Sequence, residues 1–375
     1  MKKFKCFISV LLVLLVCAGT FSACQNIGSD GEKENSGKEI VLSSKGLKFT
    51  LLDNKNGYEV SRGSCTEKNV TVSPLHNGLP VLGIAKEGFK NCSTLADISL
   101  PDCITFIGED AFYNCENLVY NEYDNARYLG NENNPYLILM EAKDRDISEC
   151  EIHPKTKIIG QNAFHACTKI KEIIIPDGVL YIDKTAFCVC EALEKLVIPN
   201  SVLFINEYAL SGLKSLKSIT LPNKIPTLEY QLLEGSGITR LDIPDSVTYI
   251  DHEAFYGCKD LAEIVFPEHF EYIGISAFSN CPSLKEVVIP NGVTSLENHA
   301  FSYCTSLECI TVPEGVNLID NAALEGCTAL TDIYYGGTVE EFKEAVQKGA
   351  KREKNALESI GVSGIVHCSN GKIEY

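Results

Sequence analysis

The sequence predicts a repeat solenoid, a stack of 22–23-residue coils with one short parallel strand in each. Three observations predict it. Cys92 and Cys115 are 23 residues apart, as are Cys167 and Cys190, and Cys258, Cys281, Cys304 and Cys327 follow at the same step. Pro176, Pro199, Pro222, Pro244, Pro267, Pro290 and Pro313 keep the same beat, with one step of 22. Between them the apolar residues hold register as C-x-x-L-x-x-I-x-I-P-x-x-V-x-x-I-x-x-x-A-F-x-x-C. A unit this short cannot bury its own apolar face, but a stack of such units can. The functional question then becomes what the stacked surface binds.

At the N-terminus, Lys2, Lys3 and Lys5 precede a nearly all-apolar run from Phe7 to Ala18. That run is shorter than the ~20 residues a membrane helix needs, so residues 1–23 read as a signal peptide. Phe21-Ser22-Ala23-Cys24 resembles the lipobox of bacterial lipoproteins, with Phe21 where leucine is usual. The resemblance implies a diacylated Cys24 that holds the protein on a membrane. The other reading is a plain secretory signal cleaved near Ala23. Residues 24–39 then form a flexible tether, since Gly28 to Glu39 contains no apolar residue to bury. Its reach is about 20 Å.

The formal charge of −17 becomes −20 once the three lysines of residues 1–23 leave. So acidic a surface excludes nucleic acid and electrostatic membrane binding, and suits an extracellular protein.

Residues 40–87 are expected to form an N-terminal β cap and first coil. Leu47-Lys48-Phe49-Thr50-Leu51 alternates as a strand and leads into Gly57-Tyr58-Glu59-Val60. Residues 88–335 carry the repeats. In the clean unit that starts at Cys281, Leu284, Val287 and Ile289 alternate as a strand that Pro290 ends. Val293 and Leu296 point inward from a second side, Ala300 permits close approach, and Phe301 fills the core. Leu213 and Ser236 stand where the other coils have cysteine, and 223–237 is the expected bend or weak point. Residues 116–153 interrupt the beat. Tyr128-Leu129-Gly130 and Tyr136-Leu137-Ile138-Leu139-Met140 read as two strands around a turn, projecting from the stack. Residues 336–375 should close it, with Thr338 capping a short helix that buries Phe342, Ala345 and Val346, and closing strands from Ile365 onward.

The unit, the insert and the tail Ile333-Tyr334-Tyr335-Gly336-Gly337-Thr338-Val339-Glu340-Glu341-Phe342 resemble BspA-like leucine-rich repeat surface proteins over roughly residues 45 to 375. The resemblance implies a leucine-rich repeat stack displayed on the bacterial surface, lipid-anchored, with its folded part outside the cell. It also implies a protein that adheres to host matrix or plasma proteins, or to other cells. It implies that the ladder Cys92, Cys115, Cys167, Cys190, Cys258, Cys281, Cys304 and Cys327 is a row of inward groups bonding loop backbone. The expected state is reduced, buried thiol. Stacked equivalents lie about 4.8 Å apart, so cross-coil disulfides stay open on distance alone.

Chemistry is sparse. The seven histidines, His76, His153, His165, His252, His269, His299 and His367, show no metal-binding spacing and read as solvated surface residues. Cys188-Val189-Cys190 is C-x-C, and no nucleophile elbow or phosphate loop occurs. No catalytic residue, metal site or cofactor is assigned, and the protein reads as a monomeric non-enzyme. The candidate binding face is the outward side of the strands. One column is Ile174, Val197, Thr220, Asp242, Val265, Val288 and Thr311; its charged neighbours are Glu172, Lys195, Arg240, Glu263 and Glu286. An apolar stripe flanked by mixed charge can bind protein. The same residues also arise from strand propensity and cross-strand pairing alone. Two functions follow: an unidentified extracellular protein ligand on this face or the insert, or a spacer at the envelope with no dedicated ligand.

Overall fold

A computed structural model describes residues 42–320, 322–350 and 364–374. The expected signal peptide, Cys24 and the expected tether lie outside the described residues. The chain divides into two compact units. One holds the described residues up to Lys143 with Glu151–Ala163 and Gly178–Asp183; the other holds Asp144–Cys150, Phe164–Asp177 and everything from Lys184 on. Both are stacks of coils. Among the described residues no helix is long and apolar enough to cross a membrane.

In the second unit the repeat pattern becomes structure position by position. Glu172–Ile174 pairs parallel with Lys195–Val197, and Arg240–Asp242 with Glu263–Val265. Glu286–Val288, Cys309–Val312, Asp332–Tyr335 and Ile365–Cys368 form a continuous parallel ladder, which Gly371–Glu374 closes antiparallel. Alternation sends the middle residue of each three-residue strand inward and its two neighbours out. Proline ends each strand because it has no N–H to continue the ladder.

The coil carries more regular structure than its sequence suggests. A second strand of two residues recurs where V-x-x-I was expected to supply inward contacts only. In the second unit, Thr227–Leu228, Tyr249–Ile250 and Tyr272–Ile273 pair in parallel, as do Ser295–Leu296 and Leu318–Ile319. Two residues are too few to register as a period-2 pattern, but stacking supplies the partner that makes them a strand.

The core is a column of stacked rings. Phe278 lies between Phe255, at 5.0 Å and 3°, and Phe301, at 5.2 Å and 5°. Each of these phenylalanine amides donates to the carbonyl of the small residue one coil on, as from Phe255 to Ala277 and Phe278 to Ala300. Alanine recurs there because the coils meet backbone to backbone. The helix Val339–Gly349 closes this unit. Thr338 and Glu341 form a capping box, and Phe342, Ala345 and Val346 are buried. Gly349 lies so close to the Ile319 carbonyl that a Cβ would sit 1.8 Å from it.

In the first unit, Lys48–Leu51 pairs antiparallel with Tyr58–Ser61, which runs parallel to Leu79–Ile84. The insert differs from expectation. It holds three strands rather than two, Asn121–Tyr123, Ala126–Leu129 and Ile138–Ala142, in an antiparallel meander. Nor does it project. Ile138–Ala142 pairs parallel with Ile158–Ile159, and Tyr128, Leu137, Ile138 and Leu139 are buried. The apolar run that reads as one strand of a free hairpin is spent on joining the unit's sheet and core.

Candidate functional site

The strand face of the second unit is built from two outward columns. In the apolar column Ile174 is 57% exposed, Val197 40%, Val265 41%, Val288 56% and Tyr334 45%. Thr220 and Asp242 are exposed, and Thr311 is half-buried. The column is interrupted. Residues 218–220 form no strand, so the ladder stops after Lys195–Val197 and restarts at Arg240–Asp242. This break falls just before the 223–237 stretch expected to be weak. In that stretch Gly237 approaches Lys214 so closely that a Cβ would lie 2.0 Å from its carbonyl oxygen.

The charged column is largely self-satisfied between 172 and 263. Lys195 meets Glu172 at 2.6 Å, and Arg240 bonds both Glu263 and Asp242. Register predicts these pairs, since Glu172 lies opposite Lys195 and Arg240 opposite Glu263. Such exposed pairs contribute at most about 1 kcal/mol each. Four of the five charged candidates therefore face each other, and only Glu286 has no ion-pair partner among the described residues.

At the C-terminal end the face deepens into a groove of about 870 Å³. Val288, Thr311, Tyr334 and His367 form one row across four parallel strands. The opposite wall comes from the turns after the strands, with Asn291, Glu314 and Ser369. The Tyr334 ring stacks on His367 at 4.7 Å and 16°. His367 Nε2 lies 2.6 Å from Asp332 Oδ1, and Thr331 Oγ1 donates to Asp332 Oδ2 at 2.7 Å. Those two hydrogen bonds hold the Asp332 carboxyl below the usual range.

His367 is the site residue the sequence reading missed. Its spacing reads as that of a solvated side chain, as do those of His76 and His153, yet His76 stacks on Phe49 at 4.0 Å and His153 on Tyr136 at 3.9 Å. The available signal was the closing strand itself: once Ile365–Cys368 extends the ladder, His367 must fall beside Tyr334.

The cysteine ladder is inward and chemically quiet. The thiols of Cys115, Cys190, Cys281, Cys304 and Cys327 each donate to the carbonyl of the phenylalanine 26 residues earlier, at 3.0–3.2 Å. Cys258 does the same toward Leu233 at 3.1 Å. Cys92 accepts from Arg62 at 3.5 Å, and Cys167 is fully buried. Burial pushes Cys190 up to about 12 and Cys167 and Cys258 to about 11. A thiol that holds its proton this firmly is no nucleophile. Among the described residues no group of three or more His, Cys, Asp and Glu side chains could hold a metal ion.

The stack has solved counterparts. A leucine-rich repeat protein from Bacteroides ovatus is 26% identical over 78% of this chain and 84% of its own, with a TM-score of 0.44. A leucine-rich repeat protein from Eubacterium ventriosum is 21% identical over 86% and 91%, at 0.39. A leucine-rich cell surface protein from Faecalibacterium prausnitzii is 22% identical over 83% and 98%, at 0.33. None of the curated proteins matches the chain. The model of the BspA type leucine rich repeat region matches in six copies, over residues 75–132, 142–261 and 227–352. With the coil, the thiol ladder and the phenylalanine column repeating through those residues, this chain belongs to the BspA-type leucine-rich repeat family.

Proposed function

We propose that this protein is a surface-displayed adhesin, lipid-anchored through Cys24, whose strand face in the second unit binds a protein ligand. The observation that carries the reading is the outward column of Ile174, Val197, Val265, Val288 and Tyr334, each at least 40% exposed. Strand propensity accounts for β-branched residues in a strand, but Tyr334 beside a groove adds ligand-sized shape to the stripe. A catalytic role finds no support in the buried, protonated thiols, and the repeat family offers no reaction.

The test is capture of matrix and plasma proteins by the full chain, compared with Val265→Glu/Val288→Glu and with Lys68→Glu, which lies on the other unit. Binding lost in the first variant and kept in the second supports the face. Equal binding in all three moves the site off this face, and binding to none of the proteins offered favours the envelope spacer. The anchor has its own test. Cys24→Ala should move the protein from the membrane fraction to the supernatant; retention with membranes would rule out the lipid.

A further inference from the structure

The C-terminal end of the strand face differs from the rest in charge as well as shape. From Glu172 to Glu263 the carboxylates of the strands and their approach have basic partners: Lys195 for Glu172, Lys171 for Glu194 at 3.8 Å, Lys217 for Asp260 at 2.7 Å, and Arg240 for Asp242 and Glu263; Asp177 and Asp245, in the turns after the strands, make no ion pair among the described residues, as Glu314 in the equivalent turn does not. Beyond that point the pairing thins to that of Asp332 with His367. Glu286, Glu308 and Glu314 make no ion pair among the described residues, although all three are exposed. Cross-strand pairing explains charge in the first stretch; in the second, Lys285 lies across from Glu308 without closing an ion pair, and Glu286 lies across from Cys309.

The unpaired carboxylates are placed by register. Glu286 and Asp332 flank Cys309 on the two neighbouring strands, and Glu308 precedes it in the chain. Burial first, then these three carboxylates, pushes the Cys309 thiol up. Two residues along the same strands runs the row Val288, Thr311, Tyr334 and His367 that floors the groove. An acidic row and an apolar-aromatic row therefore lie side by side, about 7 Å apart. That separation is within reach of a lysine or arginine stem whose backbone lies over the groove.

We infer that this groove takes an extended basic peptide segment of another protein, with an apolar or aromatic side chain seated against Tyr334 and Val288 and a neighbouring lysine or arginine over Glu286 and Glu308. The inference rests on the proposed protein-binding face and names its site and ligand chemistry. A neutral glycan would use the Tyr334 ring and leave the carboxylates idle, so charge complementarity favours the peptide. Asp332 is already engaged by His367 and Thr331, which leaves Glu286 and Glu308 beside the row, and Glu314 on the turn wall, as the acceptors and His367 as a positioning residue for the Tyr334 ring.

The experiment is fluorescence anisotropy with the full chain and a labelled eight-residue peptide carrying two lysines and two phenylalanines, against the same peptide with glutamate for lysine. The lysine peptide should bind and the glutamate peptide should not. Binding should weaken about tenfold in roughly 0.5 M salt, where the screening length falls to a few ångströms. Tyr334→Ala should weaken it at least about tenfold, as loss of a central aromatic anchor does. Glu286→Gln/Glu308→Gln should weaken it similarly while reducing the salt dependence, and Lys68→Glu, on the other unit, should bind as the wild type. Equal affinity for both peptides, or an unchanged affinity in the Glu286→Gln/Glu308→Gln variant, overturns the inference. Binding of neutral oligosaccharides that ignores those two substitutions overturns it too. The outcomes separate it from the broader reading. Whole-protein capture that survives Tyr334→Ala but not Val265→Glu sinks the groove and keeps the face. Peptide binding at the groove with no protein captured does the reverse.

Discussion

Val189 shows how much the stack asks of single residues. Its φ is 61°, the left-handed region that β-branched side chains rarely enter. It occupies the position just before the ladder cysteine, and that position repeats: Asn91, Asn114, Ala166, Gly257, Asn280 and Tyr303 all have φ between 57° and 69°. Asparagine and glycine are frequent there because they tolerate that conformation. Asn-Cys and Gly-Cys pairs in the sequence carry this signal, though it went unread beside the stronger beat of cysteine and proline. Replacing Val189 with Asn or Gly should stabilise the protein by about 1 kcal/mol by removing the clash of its Cβ. Urea melts of the two variants measure it, and an unchanged or lower midpoint would mean that the valine side chain contributes more by packing than its backbone costs.

At the scale of the coil, two ladders hold neighbours together. Phe278 is fully buried between two rings, so Phe278→Ala should cost about 3–5 kcal/mol through lost burial and the cavity left behind. Chemical denaturation would reveal it, and a cost under about 0.5 kcal/mol would be incompatible with the ring stack. The thiol ladder makes a different prediction. The folded state holds the protons of Cys167, Cys190 and Cys258 more tightly than the unfolded chain, whose cysteines titrate near 9. Their stabilising effect is therefore complete below about pH 9 and is lost as pH rises toward about 11 to 12, the range of Cys258, Cys167 and Cys190. The urea midpoint should fall between pH 8 and pH 10.5. At pH 8 the native ladder thiols should resist alkylation, then all react without reductant once unfolded. Mass spectrometry that recovers Cys258–Cys281 or Cys304–Cys327 cross-linked peptides instead would make the stack a disulfide-stapled one.

Across the second unit, stability should not be uniform. Stacked repeats are coupled through nearest neighbours, so a coil that fails to pair weakens its surroundings. Residues 218–220 make no strand between two intact ladder segments. Their amides should exchange with deuterium faster than those of Ile173, Leu196 and Leu241, which are buried within paired strands. Hydrogen exchange read by mass spectrometry locates the soft coil. Uniform protection from Glu172 to Val265 would show that packing of Leu213 and Leu216 compensates for the missing strand.

The sequence alone determined the architecture, because the repeat is written in residues whose roles are local to one coil. Phenylalanine must be buried, proline must end a strand, and alternation must set two faces, so the fold, the core column and the outward apolar column were legible from spacing, while the inward thiols were implied by the family resemblance. The capped helix at Thr338 was legible for the same reason. Only the tertiary structure decided what depends on which coils meet. Register between strands showed that most candidate charges satisfy each other, and pairing of the insert with Ile158–Ile159 drew it into the core. The closing strand Ile365–Cys368 brought His367 against Tyr334, 33 residues away in sequence, and made a groove there. A one-dimensional pattern records which way a side chain points, and its neighbours across the ladder exist only once the coils are stacked.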